Sequence, residues 1–153
     1  WYWLQDVHPG GDQFNSIHER LVEAWRVAGR RLAGTDRDGR APLVHLASGA
    51  DEEDVATVAY LADAARQAGL VPEQLLMEAI GWDPGRARFV DVGGRPIDVA
   101  FKLSPWEWMA GETFAAHLVA ASGATTWIEP AWKLLLSHKG ILAVLWELFP
   151  DHP

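Results

Sequence analysis

Four acidic residues in a row, Asp51-Glu52-Glu53-Asp54, follow a short apolar run. Carboxylates at the end of a buried strand can receive a cationic amine or a ligand N–H, because open α/β sheets hold ligands in the loops at the carboxyl ends of their strands. The same acids suit a first helical turn, where the macrodipole favours negative charge. Both readings are open on the sequence alone. A second group is Lys102-Leu103-Ser104-Pro105-Trp106-Glu107-Trp108. A lysine that closes a strand can reach an anion, or it can guard a sheet edge. Glu107 has capping-box spacing from Ser104. The two tryptophans suit either a core or a stacking surface.

The third group is WIEPAWKLLLSHKGILAVLWELFP, residues 127–150. Its apolar run is interrupted by Ser137, His138, Lys139 and Gly140. Ser137 suits an N-cap, so two helices are expected, with Lys139 in the first turn of the second. A cation there opposes the positive end of the dipole by about 0.3–1 kcal/mol. A bound phosphate reverses that sign, because backbone N–H groups and a lysine at a helix start form an anion site. The alternative is a surface lysine at a tolerated cost. Trp132, Leu135, Leu136, Ile141, Leu142, Leu145 and Trp146 are expected in the core.

Composition narrows the function classes. The chain has 153 residues, 49% hydrophobic and 22% charged, with a formal net charge of −8. That length suits one domain with a substantial core. An acidic balance argues against binding nucleic acid or an anionic membrane through bulk charge. Without cysteine, disulfides, thiolate metal sites and cysteine nucleophiles are excluded, which fits a cytoplasmic protein. No apolar run reaches the roughly 20 residues that span a bilayer. The six histidines show no metal-ligand spacing, so no metal ligand is assigned. The absence of GxGxxG, GxxxxGK[ST] and GxSxG argues against a dinucleotide enzyme or a serine hydrolase. A start on WYW and an end on FPDHP read as a segment of a longer protein.

The elements that must position these groups follow from periodicity. A turn is expected at 8–12. Ser16 and Glu19 have capping-box spacing, before an amphipathic helix to about Gly34 and a polar loop, TDRDGRA. Residues 42–48 read as a buried strand. Asp51 then caps a helix whose inner face is Val55, Val58, Ala59, Ala62 and Ala65, ended by Gly69. A strand is expected near 73–77, with a helix as the alternative. Residues 87–102 read as a β-hairpin about Gly93-Gly94. Ser104 and Pro105 open a helix to about Ala121, and 125–129 read as a strand. This alternation indicates an α/β fold.

FNSIHERLVEAW, SGADEEDVATVAYLADAARQAGL, FKLSPWEWM and WIEPAWKLLLSHKGILAVLWELFPDHP resemble, in the same order, the synthetase domain of glutathionylspermidine synthases and their stand-alone acid–amine ligase relatives. The last motif, EPAWKxLLSxKxILxxLWxLFPxHP, is long and specific. The resemblance implies a Rossmann-like, pre-ATP-grasp type sheet with flanking helices and a β-hairpin. It also implies an ATP-grasp-type ligase, using ATP and Mg²⁺, that joins a carboxylate to an amine through an acyl phosphate. Lys139 matches the family lysine that contacts ATP phosphate. Glu52 and Glu53 match the paired glutamates implicated in substrate binding. Lys102, Trp106 and Glu107 match a K-x-x-x-W-E segment and are candidates to line the site. Trp108 stands where glutathionylspermidine synthase has a threonine that contacts glutathione. An indole does not reproduce that hydroxyl contact, which counts against glutathione as substrate.

Other family parts are absent from this sequence. They are the metal-binding EYNAD-like segment, a second ATP lysine and the Gly-rich phosphate loop. The amidase half of bifunctional members needs a cysteine. The resemblance therefore implies the central segment of a ligase, with its metal ligands elsewhere, inactive by itself. Its substrates would be a small carboxylate and an amine, such as a polyamine. The alternative is a non-catalytic α/β binding domain built on the same frame.

Overall fold

Four short apolar runs meet in one parallel sheet. In the computed structural model, which describes residues 2–11, 15–33, 41–121 and 123–152, these are β1 (Leu43–Ser48), β2 (Val71–Leu76), β5 (Val99–Lys102) and β6 (Thr126–Ile128), in the order β2-β1-β5-β6. β1 pairs with β2 from Leu43↔Val71 to Ser48↔Leu76. On its other side it pairs with β5 from His45↔Ala100 to Ala47↔Lys102. Successive strand side chains point to opposite faces. Val44, Leu46, Val99, Phe101 and Ile128 enter one core, and Ala47, Ala100 and Trp127 the other.

The first face is covered by α2 (Ile17–Ala33) and α3 (Glu52–Gln67). Val22 and Trp25 of α2 meet Val58, Ala62 and Ala65 of α3 in that core. His18 bridges the two helices, with Nδ1 2.9 Å from the Tyr60 hydroxyl and Nε2 3.2 Å from Gln67 Oε1. α2 also passes very close to Leu70. A Cβ on Gly29 would lie 2.8 Å from Leu70 Cδ2, so glycine lets α2 approach without displacing the end of that leucine. The second face is covered by β3 (Gly81–Asp83) and β4 (Arg88–Val90), an antiparallel pair, and by α4 (Trp106–Met109) and α5 (Ala115–Ala120). Phe89 is fully buried between Trp82, Phe114 and Trp127, with ring centroids 5.2, 6.0 and 5.5 Å away. The short α1 (Tyr2–Val7) precedes these elements, and α6 (Leu134–Ser137) and α7 (Ile141–Leu148) follow them.

The α/β expectation holds, with a parallel sheet, flanking helices and a small hairpin. Several local expectations do not. The hairpin turn at Gly93-Gly94 forms, with Gly94 at φ +73° and an isolated bridge between Val90 and Pro96. The second run then leaves it. Residues 99–102 form a central parallel strand, with Val99, Ala100 and Lys102 buried, while β4 pairs backwards with β3. The strand expected near 73–77 does form, as β2, and the helix alternative does not. The helix expected to reach Ala121 is broken between α4 and α5. Gly111 weakens a helix there by about 1 kcal/mol, and the bend lets Met109 and Phe114 both reach the core.

The caps also differ. Asp51 sits at the N-cap of α3 without a side-chain cap bond. Pro105 occupies the N-cap of α4 and not its first turn. At α2 the first N–H, from Ile17, goes to Asn15 Oδ1 at 3.1 Å, while Ser16 Oγ receives Arg20 Nε. On α3, Val55 and Ala59 are exposed and Ala64 is buried, because the helix has α2 as well as the sheet to pack against. The TDRDGRA loop, apart from Ala41, lies outside the described residues.

A buried polar group pins the hairpin. Asp91 Oδ1 accepts the N–H groups of Gly93 (2.8 Å) and Arg95 (2.9 Å), and Oδ2 accepts Arg95 Nε at 2.7 Å. His45 Nε2, in β1, lies 3.4 Å from the same carboxylate. Burial pushes the Asp91 carboxyl up. The Arg95 N–H, the His45 ring, the Arg95 guanidinium and the Gly93 N–H together pull it below its ordinary value. Stability from such a group is complete above the ordinary carboxylate value and is lost as pH falls through the lowered one. Asp91→Ala is expected to cost about 3 kcal/mol in urea unfolding at neutral pH. That deficit should shrink as the medium is acidified below about pH 4, and a pH-independent deficit would contradict this assignment.

Candidate functional site

β1 runs through α3 to β2 on one side, while β5 lies on its other side. The chain therefore switches direction across the sheet between β1 and β5. In parallel sheets the crevice at such a switch, outside the carboxyl ends of the strands, is where ligands bind. Here it is flanked by residues 49–54 after β1 and 103–107 after β5, with Glu129 following β6.

Lys102 closes β5 at this edge. It is 3% exposed, and β5 is an internal strand, so the edge-guarding reading is overturned. Strand parity sends its side chain to the second face. Nζ donates to the Ser104 carbonyl at 3.0 Å and lies 4.5 Å from the centre of the Trp106 ring. Burial pushes the ammonium below its ordinary value, and the carboxylates of Glu129 and Glu107 pull it partly back up. Trp106 packs edge-on against Trp127, at 6.0 Å. Its indole N–H is buried without an acceptor among the described residues.

Glu107 is exposed in the first turn of α4, and its carboxylate meets the Ser137 hydroxyl. That bond, then its own backbone N–H and the charge of Lys102, hold it below the usual carboxylate range. Ser137 is thus not the N-cap of the last helix. It ends α6, and Gly140 is the N-cap of α7. Lys139 lies one residue before that cap, not within the first turn. It is exposed, with its carbonyl accepting Leu142 N–H at 3.0 Å. Glu52 and Glu53 open α3 and are exposed. Trp108 is 69% exposed, so of the two tryptophans only Trp106 packs inward.

The apolar residues of the last segment are not core. Trp132, Leu135, Leu142 and Trp146 are 60–72% exposed, and Leu136, Leu145 and Ile141 are only partly covered. Periodicity identified the helices, but among the described residues nothing covers them enough to bury a side chain. Leu142, Leu145, Trp146, Phe149 and His152 line an open groove of about 520 Å³. A second apolar cleft, about 550 Å³, lies beside Trp106, Trp127 and Pro130. The sequence reading missed Glu129 and the Ser137–Glu107 contact. Glu129 had a signal, since it directly follows an apolar strand, as Lys102 ends one. Among the described residues no three His, Asp or Glu side chains converge to hold a metal. No helix there is long and apolar enough to cross a membrane.

A lysine with a lowered value holds its proton less tightly folded than unfolded. Between that value and the ordinary 10.5, raising the pH therefore favours folding. Lys102→Met removes the desolvated charge at similar volume, so at neutral pH it should unfold at an equal or higher urea concentration than wild type. The wild type should gain on it as the pH is raised toward the ordinary lysine value. A variant markedly less stable at neutral pH would show that the charge stabilises the fold.

A family model described as the glutathionylspermidine synthase preATP-grasp domain matches residues 1–153. A Haemophilus influenzae protein named "Putative acid–amine ligase" is 41% identical over 157 residues, covering 100% of this chain and 38% of that protein. The bifunctional glutathionylspermidine synthetase/amidase of Escherichia coli is 27% identical over 144 residues, 79% of this chain and 23% of that protein. The chain thus spans well under half the length of these relatives. With its sheet, its switch-point edge and a match along its whole length, the chain belongs to the glutathionylspermidine synthase preATP-grasp family.

Proposed function

We propose that this chain is the pre-ATP-grasp part of an ATP-dependent ligase that joins a carboxylate to an amine. A carboxylate oxygen attacks the γ-phosphorus of ATP and ADP leaves. The amine gives up its ammonium proton, and the freed nitrogen lone pair attacks the carbonyl carbon of the acyl phosphate. The carbon–oxygen bond to phosphate breaks, the nitrogen loses a proton, and an amide and inorganic phosphate result. Catalysis of this kind is positioning and charge neutralisation more than covalent chemistry by the protein. The observation that carries the reading is the similarity of this whole chain to 38% of a protein named as an acid–amine ligase.

In this proposal Lys139 contacts ATP phosphate, and Glu52 and Glu53 hold the substrate amine. Lys102, Trp106, Glu107 and Trp108 line the site. Support comes from the acidic loop following β1 at the switch point, and from Ser137, two residues before Lys139, meeting Glu107 near the end of β5. Mg²⁺ would accompany the nucleotide. The described residues offer it no ligand cluster, so no step is assigned to it here. The amine is an alkylammonium or polyamine, which suits carboxylate recognition. Trp108 in place of a hydroxyl residue argues against glutathione as the acid. The exposed apolar surface of α7 favours a second reading, a binding domain without catalysis.

The test is ATP-dependent phosphate release by the full-length protein, screened over small carboxylates with mono- and polyamines. Release that needs both an acid and an amine is expected, with none from the 153-residue chain alone. Lys139→Ala should raise the KM for ATP about tenfold or more, the scale of a lost charged hydrogen bond. Glu52→Gln and Glu53→Gln should act on the KM for amine instead. No release with any pair would favour the binding domain. An unchanged ATP requirement in Lys139→Ala would remove that residue's role.

A further inference from the structure

The segment carrying Lys139 has little apolar anchorage. No residue of α6 or α7 is buried, and residues 134–140 are all exposed. What reaches from this segment to the carboxyl edge of the sheet is polar. The Ser137 hydroxyl lies against the Glu107 carboxylate, across 30 residues of chain, and also 2.8 Å from the Leu134 carbonyl. Of these acceptors the carboxylate is charged and forms the stronger bond. Glu107 is itself held on the first turn of α4 and lies in the field of the buried Lys102. Just upstream, Lys133 pairs at 3.5 Å with Glu129, the other carboxylate that acts on Lys102. A buried cation at the end of β5 thus faces two carboxylates, each joined to the segment that leads into the 137–140 turn.

We propose, resting on the reading that Lys139 meets phosphate, that Glu107 is a positioning residue which holds the 137–140 turn against the sheet through Ser137 and so sets where Lys139 stands. It touches no reacting atom. Its carboxylate is ionised at neutral pH, and that form is the better acceptor for the hydroxyl. Removing either partner frees the turn and leaves the Lys139 side chain chemically intact but displaced.

The experiment uses the full-length protein and Mg·ATP as probe, with affinity from calorimetry and amide hydrogen exchange over residues 139–142. Glu107→Ala and Ser137→Ala should each weaken Mg·ATP about fivefold, less than a lost charged contact to the nucleotide itself because the effect reaches ATP only through the position of the turn, and should speed exchange in those amides. Both side chains are exposed, so melting temperatures should stay close to wild type. The double variant should be no weaker than either single one, since the two act as a unit. Ser137→Thr, which keeps the hydroxyl, should restore affinity and protection. Unchanged exchange in both alanine variants overturns the proposal. So does unchanged affinity in them while Lys139→Ala weakens ATP. If Lys139→Ala itself has no effect, the phosphate reading fails, and exchange alone then decides the positioning role.

Discussion

A positive charge buried at the carboxyl end of an internal strand is the constraint around which this edge of the molecule is arranged. Taking an ammonium out of water is costly, and Lys102 is almost wholly covered. The surroundings compensate in three ways. A backbone carbonyl two residues on accepts a hydrogen bond, an indole face lies against the cation, and two carboxylates face it. The compensation comes from two stretches of chain. The β5–α4 turn supplies Ser104, Trp106 and Glu107, and the end of β6 supplies Glu129. These elements cannot move apart without leaving the charge uncompensated.

The two faces of the sheet are held by different means. One is an ordinary apolar interior, with α2 and α3 on aliphatic strand residues. The other mixes aromatic packing around Phe89 with two polar pins, His45–Asp91 toward the hairpin and Lys102 toward α4. Both pins sit on the same face because strand parity puts residues 45 and 102 there. A polar pin costs more to bury than an apolar contact but tolerates fewer alternative partners, and here the two fix the hairpin and α4 to defined strands. The aliphatic face needs no such device, since two long helices already cover it.

Beyond the sheet edge the physics changes. α6 and α7 are rich in leucine and tryptophan yet bury none of them. Their attachment to the body relies on turns, on hydroxyl and carboxylate contacts, and on chain connectivity. Such a segment is positioned by a few directional bonds. It therefore responds to the loss of one bond more than a packed helix would.

Much of the fold was legible because hydrophobic period and turn residues are local. α2, α3, β1 and β6 follow from apolar spacing, and the break at 137–140 follows from four polar or small residues in an apolar run. What could not be read was decided by partners distant in sequence. Alternation about Gly93-Gly94 looked like one hairpin, but only the sheet shows that 99–102 find β1. Lys102 looked like an edge residue, since burial depends on β6 arriving on its far side. Ser137 looked like a cap, because its acceptor Glu107 is 30 positions away. The core expected of the last helices failed for the same reason. A helix displays its apolar residues by itself, whereas burying them takes a second surface, and none of the described elements supplies one.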